Sequence, residues 1–306
     1  YTGTFNVVPS AGLSTFETML TEAGVDVYTS ERLDRSGTGV TMAGNVIQSI
    51  RTESGITLNG SVFLDAGYEG DLLAAAGVSY TTGRESNATY GEAYNGVQTS
   101  APGSSNHNFN DTGDGFGAHV SPYVVPNDPG SGLLPGIDPT GPGTEGGGDH
   151  RVQSYNYRLT LTKAADRRAW TAPAGYDPSD YELLRRAIDE NGVTDLSKLL
   201  KLDYIGDGKY DLNNRGPVST DYIGQNYDYP EADYATRETI ADAHRQWQQG
   251  LLYFLASDAS VPSHIRDQMN SYGLTQDEFT DNDGWSVQMY IREARRWDHR
   301  QADTVR

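Results

Sequence analysis

The 306-residue chain has a hydrophobic content of 36%, 20 tyrosines and a formal net charge of -19, with a sequence pI near 4.5. That charge excludes an extended nucleic-acid footprint, which needs a basic face, and disfavours anionic membrane surfaces. With no cysteine there are no disulfides, thiolate nucleophiles or Cys-based zinc sites, and no apolar run reaches the roughly 18–20 residues of a membrane-spanning helix.

The length suits one large domain or two modest ones. The 23 basic residues include only four lysines, Lys163, Lys198, Lys201 and Lys209; salt adaptation and GC-rich codon usage both give such a bias. The chain begins at Tyr1 without methionine and carries no signal peptide, which fits processing or trimming, and the compartment is not legible. Sequons at Asn59, Asn87 and Asn110 arise by chance in a chain of this length.

Residues 1–78 alternate in an α/β manner. Ser10 is placed to cap a helix through Gly24, with Leu13, Phe16, Met19 and Leu20 on one stripe. A short strand is expected at 25–29, and 39–66 reads as strand, turn, strand, turn, strand, broken at Gly44-Asn45 and Ser54-Gly55. The last of these runs, "VFLDAGYEGDLLAAAGV" (62–78), ends in a carboxylate and passes through glycines into an alanine-rich helix from Asp71.

At such a junction Gly67 and Gly70 permit close approach, and a helix N-terminus offers free N–H groups, while Glu69 and Asp71 would repel a phosphate. Polar, sugar-like or ring contacts suit it better; an ordinary capped strand–helix junction accounts for the same residues.

Residues 79–151 are rich in Gly, Pro, Ser, Asn and Asp, with enough Tyr, Phe and Val for an ordered excursion over a surface rather than a linker. Near its end "EGGGDHRV" (145–152) leads three glycines into Asp149-His150-Arg151. His150 can move protons near neutrality and Arg151 can fork onto a carboxylate or phosphate; a solvated charged loop is the bland alternative. "GSGLLPG" (130–136) lacks the spacing and preceding strand of a dinucleotide loop.

A strand is expected over 152–162, then a mostly helical region: helices at 177–192, 230–258 and 261–273, and another over "WSVQMYIREARR" (285–296). Asp207, Asp211 and Asn213 have a faint calcium-loop look without the ligand order or closing glutamate, and turn chemistry explains both them and "DNDG" (281–284). No two of the six histidines share a metal-binding helical spacing, and no G-x-S-x-G elbow occurs.

Many separate segments, in order, carry a further signal: "FNVVPSAGLSTFETMLTEAGVDVYTSERL", "VFLDAGYEGDLLAAAGVSYTTGRES", "SGLLPGI", "GGGDHRVQSYNYRLTLT", "GYDPSDYELLRR", "NNRGPVSTDYIGQNYDYPEADYATRETI", "GLLYFLASDASVPSHIRDQMNSYGLTQDEFTDNDGW" and "MYIREARR". Together, from Phe5 to Arg296, they resemble a family of bacterial and archaeal FAD-dependent oxidoreductases with a glutathione-reductase-like flavin fold, some of them associated with polysaccharide breakdown.

The resemblance implies an α/β fold, a partial FAD/NAD(P)-binding Rossmann-like domain with a large, mostly helical inserted substrate domain. Residues 1–78 would be the FAD-binding part, 79–162 the excursion and return strand, and 163–306 the substrate or cap domain. It implies FAD as cofactor, with Asp65, Ala66, Gly67, Glu69, Gly70 and Asp71 near it, His150 and Arg151 as catalytic contacts, and Asn214 and Arg215 on the substrate side. The implied reaction is hydride transfer between flavin N5 and a small organic or carbohydrate-derived substrate.

The opening strand–GxGxxG–helix unit and the closing flavin strand of that fold are missing from this sequence, and "WDHRQADTVR" (297–306) departs from the family pattern, so this chain alone is expected to bind FAD weakly and to be inactive. The alternative reading is a non-catalytic structural or calcium-dependent extracellular binding module on a flavoprotein scaffold.

Overall fold

The computed structural model describes residues 7–99 and 119–297. His107 and the Asn110 sequon lie outside these residues. Helix α1 (Pro9–Glu22) is followed by strands β1 (Val40–Ala43), β2 (Val46–Arg51) and β3 (Thr57–Asn59), which form an antiparallel meander in sequence order. The expected breaks at Gly44-Asn45 and Ser54-Gly55 are its two turns.

Helix α2 (Asp71–Ala75), strand β4 (Tyr80–Thr81) and helix α3 (Asn87–Tyr90) lead into the excursion. Its described part is tied down by Arg186, which donates to the carbonyls of Ser121, Tyr123 and Val124 from a position only 7% exposed.

The main core surrounds a four-stranded sheet of order β6-β7-β5-β8, built from β5 (Leu159–Thr162), β6 (Leu200–Gly206), β7 (Lys209–Asn214) and β8 (Gly273–Leu274). Helices α4 (Glu182–Glu190), α5 (Tyr234–Ser257) and α6 (Ser263–Asn270) cover it. Leu159, Leu161, Leu200 and Leu212 of the sheet pack with Leu184, Leu251, Phe254 and Ile265 of the helices, all fully buried.

Long helix α5 opens where the Asp233 carboxylate accepts the Thr236 N–H at 2.8 Å, and its apolar second half faces the core. Within it Gly250 is obligatory: an added Cβ would stand 2.0 Å from the Tyr181 hydroxyl. The last strand, β9 (Arg296–Trp297), pairs with β4.

Every strand ladder among the described residues is antiparallel; the parallel sheet of a Rossmann-like unit is not among them. Four expectations are corrected. Residues 25–29 and 62–66 form no strand: Val25, Val27, Val62 and Leu64 are 50–87% exposed, and an extended run without a ladder partner has nothing to satisfy its backbone groups but water. Of 152–162 only β5 is ladder, because the stretch before it faces side chains: Gln248 caps both the N–H and C=O of Tyr157.

The fourth concerns 285–296, which forms no helix and passes through bends at 285–288 before the Tyr290 bridge and β9. Met289 and Ile291 are buried with Tyr290 exposed between them, a period of two, and Tyr290 bridges Asn156 (N–H to O 2.7 Å).

Helix α1 starts two residues earlier than expected, at Pro9, with Val8 rather than Ser10 as its cap. The Ser10 hydroxyl and N–H both donate to Glu278, a carboxylate 1% exposed that also receives Lys209 Nζ at 2.6 Å. The calcium-like stretch is the β6–β7 hairpin: Asp207 and Gly208 take φ of 50° and 71° at its tip, and Asp211 pairs with Arg158.

Candidate functional site

The junction at 65–71 is built on carboxylates that hold protein, each in its own way. Asp65 accepts the N–H groups of Gly67 and Leu73, both at 3.1 Å, so it closes the turn and satisfies the first turn of α2 from outside. Gly70, at φ 64°, is the left-handed residue that starts α2. Ala66 and Gly67 are exposed.

Asp71 lies among three guanidiniums: Arg237 binds it bidentately at 2.7 and 3.0 Å, Arg295 at 2.8 Å, and Arg35 approaches to 3.5 Å. Burial is the largest influence on its pKa and pushes it up, but the hydrogen bond and charge of Arg237, with Arg295 and Arg35, outweigh burial and leave it below 3.8. Glu69 accepts from the Tyr229 hydroxyl at 3.0 Å, and burial, then the Glu69 charge, drives that phenol's pKa up. Beside these groups lies a depression of about 330 Å³, floored by Met289 and Ile291 and walled by Tyr229, Tyr234 and Arg237.

The glycine-rich cluster is packed backbone against backbone. Arg84 and Asp149 exchange main-chain hydrogen bonds (2.8 and 2.9 Å), and the Arg84 guanidinium forks onto the Asp149 carboxylate. Gly148 lies where a Cβ would meet the Arg84 carbonyl at 2.8 Å and the Ser86 nitrogen at 2.9 Å; Gly83, at φ 74°, would place one 2.3 Å from the Asp149 carbonyl.

Two of the glycine requirements are therefore met within the protein. The hydrogen bond of Arg84 holds the Asp149 carboxyl below the usual range, with burial opposing. Arg151 is committed, donating to Thr140 Oγ1 at 2.7 Å with Asp138 at 3.2 Å and Asp149 at 3.7 Å. His150 is exposed, its ring edge-on to Tyr227 at 5.6 Å.

On the far side, Asn214 Nδ2 donates to Asp221 at 2.6 Å. Asp221, 4% exposed, also accepts from Ser154 (3.0 Å) and Arg292 (2.9 Å). Arg215 is half-buried beside Asn214 in sequence.

A strap over residues 226–231 joins these groups. Asn226 donates to the Gln153 carbonyl (2.8 Å), Tyr227 meets His150, Tyr229 meets Glu69, and Glu231 takes Arg295 (3.0 Å) and the Tyr80 hydroxyl (3.0 Å). The 65–71 and 149–151 clusters thus share one scaffold, while Asn214 is tied to Asp221, which also takes Ser154 and Arg292.

Sequence reasoning missed Asp221, Tyr229, Arg237, Arg292 and Arg295; the only signal was the aromatic run "NYDYPEADY" (226–234). Among the described residues no group of three or more His, Asp or Glu could hold a metal ion, and no helix is long and apolar enough to cross a membrane.

No curated protein and no solved structure matches the chain. A family model described as "FAD dependent oxidoreductase" matches residues 2–301, almost all of the sequence. The protein belongs to the FAD-dependent oxidoreductase family, whose cofactor is FAD.

Proposed function

We propose that the protein transfers a hydride between FAD and a small organic or carbohydrate-derived substrate. The observation that carries this reading is the strap: it holds the 65–71 junction and the His150 loop on one element, as a site must that presents a cofactor and a substrate to each other.

The residues at the junction fit one end of FAD and not the other. Asp65 already takes the Leu73 N–H that an anion would use, and Asp71 already occupies the guanidiniums of Arg237 and Arg295 that a phosphate would seek. Exposed Ala66 and Gly67 suit the flat ring end, since a Cβ on Gly67 would meet nothing closer than Asp65 Oδ1 at 3.4 Å.

Ala66, Gly67 and Gly70 would therefore lie on the ring side, with Asp65, Glu69 and Asp71 holding the turn behind them. When bound, FAD supplies the two-electron chemistry. In this reading His150, the exposed titratable ring, holds or moves the substrate proton.

Arg151, already balanced by Asp138 and Asp149, orients the loop that carries His150 and adds positive potential beside it. Asn214 and Arg215 bind the substrate from the Asp221 side.

The test is an absorbance spectrum of the protein purified from its source without added cofactor. Bands near about 370 and 450 nm, released on denaturation as FAD, support the reading, and substrates are then found by bleaching of those bands under anaerobic conditions. In that assay His150→Ala slows bleaching while the flavin stays bound. A colourless protein that takes up no added FAD overturns the proposal.

A further inference from the structure

The chain has three Asn-Gly pairs, at Asn59, Asn95 and Asn191. In such a pair the backbone nitrogen of the glycine can attack the asparagine Cγ, since the glycine carries no side chain to shield it. Folding decides which pair is free to react, because a carboxamide and a peptide hydrogen-bonded in place must first open.

Two of the three are held. Asn95 Nδ2 donates to Glu92 at 2.7 Å and its N–H to the Glu92 carbonyl at 3.3 Å. Gly96 is pressed on Gly147, where an added Cβ would stand 2.5 Å from the carbonyl oxygen. Asn191 closes α4: its Nδ2 and its N–H both donate to the Ala187 carbonyl, at 2.8 and 3.3 Å. The Gly192 N–H, the group that would attack, is itself spent on the Asp189 carbonyl at 3.2 Å.

Asn59 is the opposite case. It is exposed at the end of β3, the edge strand of the meander, in the terminal one of only three ladder pairs. Among the described residues neither its carboxamide nor the Gly60 N–H has a hydrogen-bond partner. The atoms nearest to a Cβ on Gly60 belong to Val62 and Phe63, so its closest packing is with its own turn.

We propose that Asn59 is a site of spontaneous deamidation in the folded protein. The Gly60 nitrogen, its proton passing to water, bonds to Asn59 Cγ as the Cγ–Nδ2 bond breaks and ammonia leaves. Water then opens the cyclic succinimide at either carbonyl, giving aspartate or isoaspartate. One water enters for each ammonia lost, and nothing is oxidised or reduced.

Isoaspartate routes the main chain through the former side chain and lengthens it by a methylene at the end of β3. Both products add a carboxylate to a chain whose net charge is already -19. The site stands apart from the flavin reading, so a colourless protein would leave it intact.

The experiment is incubation of the full, folded chain at mildly alkaline pH in heavy-oxygen water, followed by peptide mapping with mass spectrometry. The isotope marks succinimide opened during the incubation rather than during digestion. The expected result is label at Asn59, split between aspartate and isoaspartate, appearing at least about tenfold faster than at Asn95 or Asn191. In urea, where no fold protects the other two, the three rates converge. Asn59→Gln removes the fast site and leaves the rates at Asn95 and Asn191 unchanged. Comparable rates at the three sites in the folded protein, faster labelling at Asn95 or Asn191, an unlabelled Asn59, or a lead of Asn59 that persists in urea would each overturn the proposal.

Discussion

Replacing Asp71 by Asn is the sharpest probe of what the 65–71 junction does. The change keeps the volume and removes one charge from a group in which the side chains of Asp71, Arg237 and Arg295 are 16%, 6% and 3% exposed. Removing one partner of a buried ion pair costs about 3–5 kcal/mol, because the other charge is left in low dielectric without compensation.

Both arginines keep other acceptors: the Tyr229 and Pro230 carbonyls for Arg237, Glu231 and the Glu69 carbonyl for Arg295. The loss therefore falls at the low end, about 3 kcal/mol, or about 6–12 °C in Tm at the roughly 2–4 °C per kcal/mol of larger domains.

Urea denaturation followed by tryptophan fluorescence measures it, and the double variant D71N/R295M recovers at least about 1 kcal/mol relative to additivity. The pH dependence carries the same sign. The folded Asp71 has a pKa below 3.8, so its contribution is full above that value and lost as pH falls through the folded pKa; D71N should flatten the acid limb. If D71N instead unfolds within about 1 kcal/mol of the parent and selectively loses FAD, the carboxylate is a cofactor contact and the reasoning here fails.

Two further outcomes are expected. Gly83→Ala, at φ 74° with its Cβ 2.3 Å from the Asp149 carbonyl, should cost about 3 kcal/mol or more in urea denaturation and expose the His150 loop to limited proteolysis; a neutral effect would mean the loop relaxes freely. His244→Leu should remove a pH dependence. Burial, opposed by the Ile240 carbonyl and Asp221, lowers the pKa of this His from 6.5, so its contribution to stability is present above 6.5 and declines as pH falls towards the folded pKa. Urea midpoints of parent and variant measured across that range should diverge in slope, and parallel slopes would refute the assignment.

What was legible in the sequence was whatever depends on near neighbours. The meander of β1–β3 follows from runs separated by Gly44-Asn45 and Ser54-Gly55, and α5 from the 230–258 run with its apolar second half, although the helix opens only at Tyr234, after the Asp233 cap. Strand formation failed as an inference wherever it needed a partner: "VFLDA" has the composition of a strand, but Val62 and Leu64, 76% and 87% exposed, have no ladder beside them. Trp285–Arg296 looked helical because its apolar residues are dense; instead Tyr290 bridges Asn156, with Met289 and Ile291 buried on either side of it.

The site divides along the same line. Asp65, Glu69 and Asp71 stood out because helix N-termini and glycine turns are local chemistry, yet what each carboxylate does is set by residues far along the chain: 160 positions separate Glu69 from Tyr229, and 224 separate Asp71 from Arg295. Local chemistry could name the acids and not their counter-charges: the guanidiniums around Asp71 come from Arg35, Arg237 and Arg295. The glycines at 146–148 invert in the same manner, since the surface pressed on Gly148 is the backbone of residues 84–86.

His150 is the contrary case. Its ring is exposed, Tyr227 meets it edge-on at 5.6 Å, and Asp138 lies within electrostatic reach. The residue on which the proposed chemistry rests is thus one whose ring the fold leaves open to solvent.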